Sequence, residues 1–580
     1  MKATNSYHKQ KPCSVPAHKR PIFQLFFTLF LFLNIGTTAY AQKSYTKYWV
    51  SFTDKQNTNH SLSNPETFLS QRAIERRMRF QIPLTNNDLP VSYTYLQKLR
   101  QKGVKVLYTS KWFNGTIVSI QNPKLLKRLE ELPFVKEVKP VGRDGRKKKT
   151  LTSGSAPSIK LKTEEKELPK ESTYYGAAFH QTKMLKGDYL HAQGFTGRGM
   201  LVAVTDAGFS NVEKMEVFRH LYEEERIAGT YDFVDIDQNP YHDSTHGTHV
   251  LSTIAAKIPN QFVGTAPDAS FWLFRTEDNK SETHIEEYNW VAAAEMADSA
   301  GVDVLNTSLG YVSFDDKEMS YQPEELDGNT AIITRGADIA ASKGILVVVS
   351  AGNKGNKQWK HLTTPADADS VLTVGAVNKR EKYAFFSSQG FGVDHNIKPN
   401  VMAQGQSSET VTIDGTIRPS NGTSFSAPIM AGLVTCLLQA NPQQNPQKLI
   451  TTLQESASQY NNPSQTMGYG VPDFQRSHLQ LSSLQSPINS SSKEATAFVY
   501  PNPFDDTKQV YYYAPRSETI TLQLLDLTGK LYQEYQSEVR KNEPYKFYFS
   551  AWQSAPKGIY VVRIGNSEER FSLRAVKASD

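Results

Sequence analysis

The sequence predicts an α/β protein: a parallel β-sheet covered by helices on both faces, preceded by a small α+β unit and followed by a small β-sandwich. Three observations predict it. Apolar strand-type runs alternate with helix-type runs through the middle of the chain, as in sheets buried on both faces. Upstream, the elements run strand, helix, strand, strand, helix, strand. Downstream, short strands are separated by turn signals such as Thr528-Gly529-Lys530 and Lys557-Gly558.

At 580 residues and 38% hydrophobic content, several domains and at least one large core are expected. The first 41 residues carry five basic and no acidic side chains, an apolar run from Ile22 to Leu33, and then Ala39-Tyr40-Ala41. A basic start, a short apolar core and a small-x-small end describe a secretory signal cut after Ala41. No other segment is expected to be long and apolar enough to cross a membrane. Cys13 leaves with that leader, so Cys436 has no intramolecular partner and is expected to act as a small buried hydrophobe.

The net charge of +7 hides an uneven split. Lys plus Arg outnumber Asp plus Glu by 26 to 12 in residues 42–173, and are outnumbered 22 to 35 in residues 174–482. The basic charges sit on amphipathic elements with no nucleic-acid-binding motif, so nucleic acid is not an expected partner. Charge complementarity between two parts of one precursor accounts for the split.

Residues 42–145 read as a strand at Tyr48–Phe52, helices at Pro65–Phe80 and Tyr93–Gln101, and strands at Val104–Trp112 and Thr116–Ile120. The last two flank the turn Phe113-Asn114-Gly115. A helix at Pro123–Leu132 and a strand at Val135–Val141 complete a ferredoxin-like pattern with one helix to spare. Residues 146–172, opening with Arg146-Lys147-Lys148-Lys149, read as a linker accessible to proteases.

In residues 173–482, strands are expected at Leu201–Thr205, Phe271–Arg275, Val302–Asn306, Ile345–Ser350 and Val371–Val377. Thr283 and Glu286 form a capping box before a helix at Ile285–Ala300. Four blocks carry chemistry. Asn421-Gly422-Thr423-Ser424-Phe425-Ser426-Ala427-Pro428 puts a serine on a tight turn at a helix N-terminus, with backbone N–H groups aimed at what it attacks. Serine alone is a weak nucleophile and needs a base, an orienting carboxylate and an oxyanion donor. Asp206 ends an apolar strand, His246 opens a helix, and Asn353 follows another apolar strand; carboxyl ends of strands are where such sheets place their sites.

These blocks resemble those of the subtilisin-like serine peptidases, in the same order Asp, His, Ser. The resemblance implies a subtilisin-like fold and a catalytic triad of Asp206, His246 and Ser424. It implies that Asn353 and the Ser424 N–H line the oxyanion hole, and that Ser308, Leu309, Gly310, Ala351 and Gly352 bind substrate. The histidine is chosen by the pattern His246-Gly247-Thr248-His249, in which the first is the base and His249 is structural. Ala207 departs from the pattern, where a small hydroxyl residue often follows the aspartate. A metal held by Asp243, His246 and His249 is the competing reading and lacks a third ligand segment. The chemistry requires no cofactor. Asp315 to Asp327, with six acids and one lysine, reads as a solvated loop and leaves room for a structural calcium.

The upstream unit resembles the inhibitory propeptides of the same family, so its own propeptide is an expected intramolecular partner beside protein or peptide substrates. Residues 483–496 are a serine-rich linker. In 497–580, Tyr500-Pro501-Asn502-Pro503-Phe504, Leu525-Asp526-Leu527-Thr528-Gly529-Lys530, Lys557-Gly558-Ile559-Tyr560-Val561-Val562-Arg563 and Lys577 resemble the sorting domains of the Bacteroidetes type IX secretion system. That implies export through the periplasm to the medium or the cell surface by the type IX machinery. The reading is therefore a secreted serine endopeptidase precursor, with an inactive surface-binding protein on the same fold as the alternative.

Overall fold

A computed structural model describes residues 45–143, 159–162, 174–391, 396–484, 496–500, 509–514, 516–540, 544–566 and 570–577. The expected leader and most of the two expected linkers lie outside them.

The sheet at the centre has seven parallel strands. Their spatial order is Val401–Gln404, Leu372–Val377, Leu346–Ser350, Val304–Thr307, Leu201–Asp206, Ser270–Arg275 and Ile227–Asp232. The two outer strands, Val401–Gln404 and Ile227–Asp232, are additions to the five expected from sequence. The second resists recognition because its apolar residues do not alternate or cluster: it reads Ile-Ala-Gly-Thr-Tyr-Asp.

The strand Leu346–Ser350 is buried along its whole length, as a Val-rich strand between two helical layers must be. One layer contains the helix Thr423–Ala440, which packs on His246–Ala255 and four of the strands. The other contains Ile285–Ala300 and Ile332–Ser342. Thr423–Ala440 is long and apolar enough to cross a membrane, contrary to expectation from sequence, yet 83% of it is buried in the core. Cys436 lies in it, fully buried, and donates from Sγ to the Thr265 carbonyl at 3.3 Å.

The capping box before Ile285–Ala300 forms by half. The Glu286 carboxylate accepts from Thr283 N at 3.1 Å, whereas Thr283 Oγ1 is buried without a partner.

The upstream unit is an antiparallel four-stranded sheet in spatial order Lys105–Ser110, Gly115–Ser119, Lys47–Phe52, Val135–Gly142, the ferredoxin-like arrangement. Its helices are Gln71–Arg79, Tyr93–Gln101 and Lys124–Glu130. The expected helix Pro65–Phe80 is two pieces, because Ser70 caps a fresh helix by accepting from Ala73 N. The sheet lies against Ile285–Ala300, where Trp49 stacks on Tyr288 with ring centroids 4.9 Å apart.

Further along the same helix is a charge network. Asp298 accepts from Arg76 at 2.6 Å, Arg77 at 2.8 Å and Lys111 at 3.1 Å; Arg72 pairs with Asp303. Glu295 accepts from Ser110 Oγ, Lys111 N and Trp112 N at 2.5, 2.7 and 3.0 Å. The basic upstream unit thus meets the acidic domain through side chains largely removed from water, with Arg72 still part-exposed.

The carboxy-terminal unit is two antiparallel sheets, one of three strands and one of four, around Trp552, Phe549, Leu522 and Val562. The strand Leu531–Val539 was not expected from sequence: its alternation is of polar and charged residues, so it carries little apolar signal. The turn at Thr528-Gly529-Lys530 forms as expected, with Asp526 Oδ1 accepting from Thr528 N and Lys530 N and Gly529 at φ +87°.

Candidate active site

The strand Leu201–Asp206 is fully buried and delivers its last residue, Asp206, to the carboxyl edge of the sheet with 1% of its surface exposed. A lone buried carboxylate is costly, and Asp206 is compensated on both oxygens. Ala207 N donates to Oδ1 at 2.8 Å, and Nδ1 of His246 lies 2.9 Å from Oδ1 and 3.0 Å from Oδ2. With Nδ1 donating to a carboxylate, Nε2 is the acceptor nitrogen of the neutral ring. Burial pushes the His246 imidazolium down. The Asp206 charge and hydrogen bond, with a smaller contribution from Glu277, more than reverse this, so its pKa stands above the ordinary 6.5.

His246 is the first residue of its helix, and its N–H donates to Ser244 Oγ at 3.2 Å. Its ring lies 5.8 Å, centroid to centroid, from Phe425, the residue after Ser424. Ser424 is the second residue of the Thr423–Ala440 helix and is half-buried; Gly422 before the helix has φ +153°.

Asn353 comes to the same turn. Its Oδ1 accepts from Thr423 N at 2.9 Å and from Thr423 Oγ1 at 3.2 Å, while Gly352 N donates to Thr423 Oγ1 at 3.1 Å. The Asn353 Nδ2 group lies 3.6 Å from where a β-carbon on Gly422 would sit. The amide oxygen is thus spent on the turn, and the amide N–H groups are left on the side of Gly422.

Ser308, Leu309 and Gly310 follow the strand Val304–Thr307, and Ser308 Oγ accepts from Asn306 Nδ2 at 2.9 Å. A β-carbon on Gly310 would stand 2.2 Å from Thr363 Oγ1, and one on Gly352 would stand 2.8 Å from the same atom. The two segments expected to bind substrate therefore close on one side chain, Thr363, with no room for anything larger than glycine. Ala351 is fully buried and tied to Val374 O and Thr363 N.

Other groups at the site were not singled out from sequence. Glu277 accepts from Tyr311 Oη at 2.5 Å and Thr276 Oγ1 at 2.8 Å; burial raises its carboxyl to about 8 against those two hydrogen bonds. Arg275, in the strand beside Asp206, is 1% exposed. Its signal in the sequence was a guanidinium inside an apolar strand, Ser-Phe-Trp-Leu-Phe-Arg.

The residues of the competing metal reading are otherwise engaged. Asp243 pairs with Arg275 at 2.7 Å and with His242 Nδ1 at 3.2 Å, and His246 is on Asp206. His249 is held down in pKa by burial and by the His246 charge. Among the described residues, Asp232, Asp235 and His242 bring ligand-type atoms within 4.8 Å of one another, and Arg275 donates to both of those carboxylates. In the loop Asp315–Asp327, Asp327 accepts from Asn329 N and Thr330 N, and Asp316 from Tyr45 Oη.

Comparison with known proteins bears on this geometry. A profile described as the subtilase family matches residues 197–470. One described as the peptidase S8 propeptide domain of Bacteroidota matches 47–154, and one described as a secretion system C-terminal sorting domain matches 498–577. Subtilisin E of Bacillus subtilis (strain 168) is 34% identical over 283 residues, 48% of this chain and 65% of that protein. The chain thus spans just under two thirds of the length of Subtilisin E. Subtilisin of Bacillus pumilus is 33% identical over 296 residues, 50% of this chain and 95% of that protein.

Among solved structures, MycP1 with its N-terminal propeptide removed is similar with a TM-score of 0.41 and 23% identity, covering 52% of this chain and 96% of that one. The prenylagaramide maturation protease PagA is similar with a TM-score of 0.41 and 21% identity, covering 51% and 99%. With a relative one third identical over nearly its whole length, and strand ends and helix starts that carry the family's blocks, this chain belongs to the subtilase family.

Proposed function

We propose that the chain is the precursor of a secreted serine endopeptidase that cleaves peptide bonds through Asp206, His246 and Ser424. The observation that carries the reading is the buried Asp206 carboxylate on Nδ1 of a histidine whose ring lies against the residue after Ser424. Ser424 Oγ attacks the peptide carbonyl carbon as Nε2 of His246 takes its proton. The negative charge that develops on the carbonyl oxygen is met by Asn353 Nδ2 and the Ser424 N–H. The carbon–nitrogen bond then breaks, His246 returns the proton to the leaving amine, and water, deprotonated by the same base, hydrolyses the acyl ester.

Ser308, Leu309 and Gly310 pair with an extended substrate as an added strand, and Ala351 and Gly352 form the facing wall of the pocket. The upstream unit acts as an intramolecular inhibitor, supported by the buried ion pair it makes with Asp298 and the part-exposed one with Asp303. The sorting domain directs the protein through the periplasm to the type IX machinery and out of the cell.

The test is the intact mass of residues 42–580, wild type and Ser424→Ala, incubated at neutral pH beside a sample containing a fluorophosphonate. Loss of the propeptide and labelling of wild type only are expected. Labelling without self-cleavage assigns maturation to another protease. If wild type is unlabelled even after the propeptide has been clipped by an added protease, the inactive binding protein takes the place of the peptidase.

A further inference from the structure

Arg275 is a fully enclosed guanidinium, and enclosing one costs several kcal/mol unless its donors are met. They are met by groups from three separate segments. Nη1 lies 2.7 Å from Asp232 Oδ2 and 3.0 Å from Asp235 Oδ2, Nη2 lies 2.7 Å from Asp243 Oδ2, and Nε donates to the Ala207 carbonyl at 3.3 Å. His242 joins the cluster through both ring nitrogens, Nε2 3.5 Å from Asp232 and Nδ1 3.2 Å from Asp243.

Two of these partners belong to the loops that carry the candidate catalytic pair. Ala207 follows Asp206, and its N–H is a donor to the Asp206 carboxylate. Asp243 stands three residues before His246 in a left-handed conformation, φ +65°, and its carbonyl accepts from Asn279 Nδ2. Arg275 is itself paired in register with Asp206, and the next residue, Thr276, donates its N–H to the Asp206 carbonyl. One planar fork on a rigid strand therefore grips the loop after the aspartate and the loop before the histidine.

We propose that Arg275 is a positioning residue for the Asp206–His246 pair: it fixes the separation of the Ala207 loop from the Asp243 turn and so the alignment of the imidazole with Asp206. This rests on the peptidase reading above. Displacements of about 1 Å at a reacting pair cost on the order of 100-fold in rate, so a support outside the reacting atoms can have a large effect.

The experiment uses the full precursor matured to active enzyme, as wild type, Arg275→Lys, Arg275→Gln and Asp243→Asn. Active sites are titrated with a fluorophosphonate, and kcat and KM are measured per titrated site on a quenched fluorogenic peptide that wild type cleaves. Arg275→Gln is expected to lower kcat per site about 10- to 100-fold with KM within about threefold of wild type. Arg275→Lys, which restores the charge without the fork, is expected to recover part of the loss. The acid limb of kcat/KM is expected to move to lower pH, because a loosened Asp206 raises the His246 pKa less. The groups that face His246 are Asp206, Glu277 and His249, and none of them is substituted.

Wild-type kcat per titrated site with an unmoved acid limb in Arg275→Gln overturns the proposal, whatever the change in melting temperature. If Arg275→Gln yields no folded protein, Asp243→Asn removes one arm of the fork and decides in the same way: reduced kcat per site supports positioning, and wild-type kcat overturns it. A wild type that takes no label overturns the peptidase reading and this inference with it. A labelled wild type that turns over peptide makes the variants a test of Arg275 alone.

Discussion

The carbonyl oxygen of His242 lies 2.2 Å from the point where a β-carbon on Gly208 would sit. The loop after Asp206 and the loop before His246 thus touch backbone to backbone, and Gly208 has φ +144°, a conformation that favours glycine. Gly208→Ala is expected to push these loops apart, destabilising the protein by about 1–3 kcal/mol and lowering kcat/KM at least about 10-fold. Thermal melts and peptide hydrolysis check the two effects separately.

Asn353→Leu removes the amide aimed toward Gly422 and also the acceptor for Thr423 N. A fall in kcat of about 10²–10³ is expected with little change in KM, the magnitude found when an oxyanion-hole donor is removed from a subtilisin. A rise in KM at unchanged kcat would assign Asn353 to substrate binding.

The raised His246 pKa predicts the acid limb of activity. In the proposed mechanism His246 must be neutral to accept a proton, so kcat/KM is expected to fall as the pH drops through a value above the ordinary 6.5. Because the charged form is favoured in the folded state, the pairing adds stability that is fully present below the unfolded value and is lost as pH rises through the folded one. Asp206→Asn is expected to abolish both effects, shifting the histidine downward because burial is then opposed only by the smaller contribution of Glu277. A histidine titration followed by NMR in the two proteins is the measurement.

Asp298 is buried, and burial alone would raise its carboxyl; Lys111, Arg76 and Arg77 more than reverse this and hold it far below the usual carboxylate range. A depressed carboxylate contributes stability present above its unfolded value and lost as pH falls through the folded one. The ion pairs of Asp298 across the propeptide interface are therefore expected to persist in mild acid and to loosen only below the ordinary carboxylate range. Asp298→Asn is expected to weaken docking by about 2–5 kcal/mol, because three buried cations lose their shared partner. The rate at which an added protease removes the propeptide from Ser424→Ala precursor, with and without Asp298→Asn, checks this.

Much of the fold was legible because its signals are local. The strand Leu346–Ser350 and the helix Thr423–Ala440 announce themselves by apolar content, and the ferredoxin-like order by alternating element type. The strands Ile227–Asp232 and Leu531–Val539 escaped because one is polar at its centre and the other alternates among charged and polar side chains. The split at Ser70 escaped because a mid-pattern cap needs the helix ends to be known. Within the candidate site, the blocks around Asp206, His246, Asn353 and Ser424 were legible from local pattern. Thr363, which receives Gly310 and Gly352, was not, because no spacing announces which side chain fills the gap between two loops.

The sequence by itself determined which residue types stand at strand ends and helix starts, and their order. Those features depend on neighbours within a few positions, where periodicity and turn chemistry act. Only the tertiary structure decided which charges meet. Arg275 finds Asp232, Asp235 and Asp243, and Asp298 finds Arg76 and Arg77 more than two hundred residues away. In water each of these ions is solvated and indifferent to the others. Packing the layers removes that water, and the cost of leaving a charge unpaired then selects its partners.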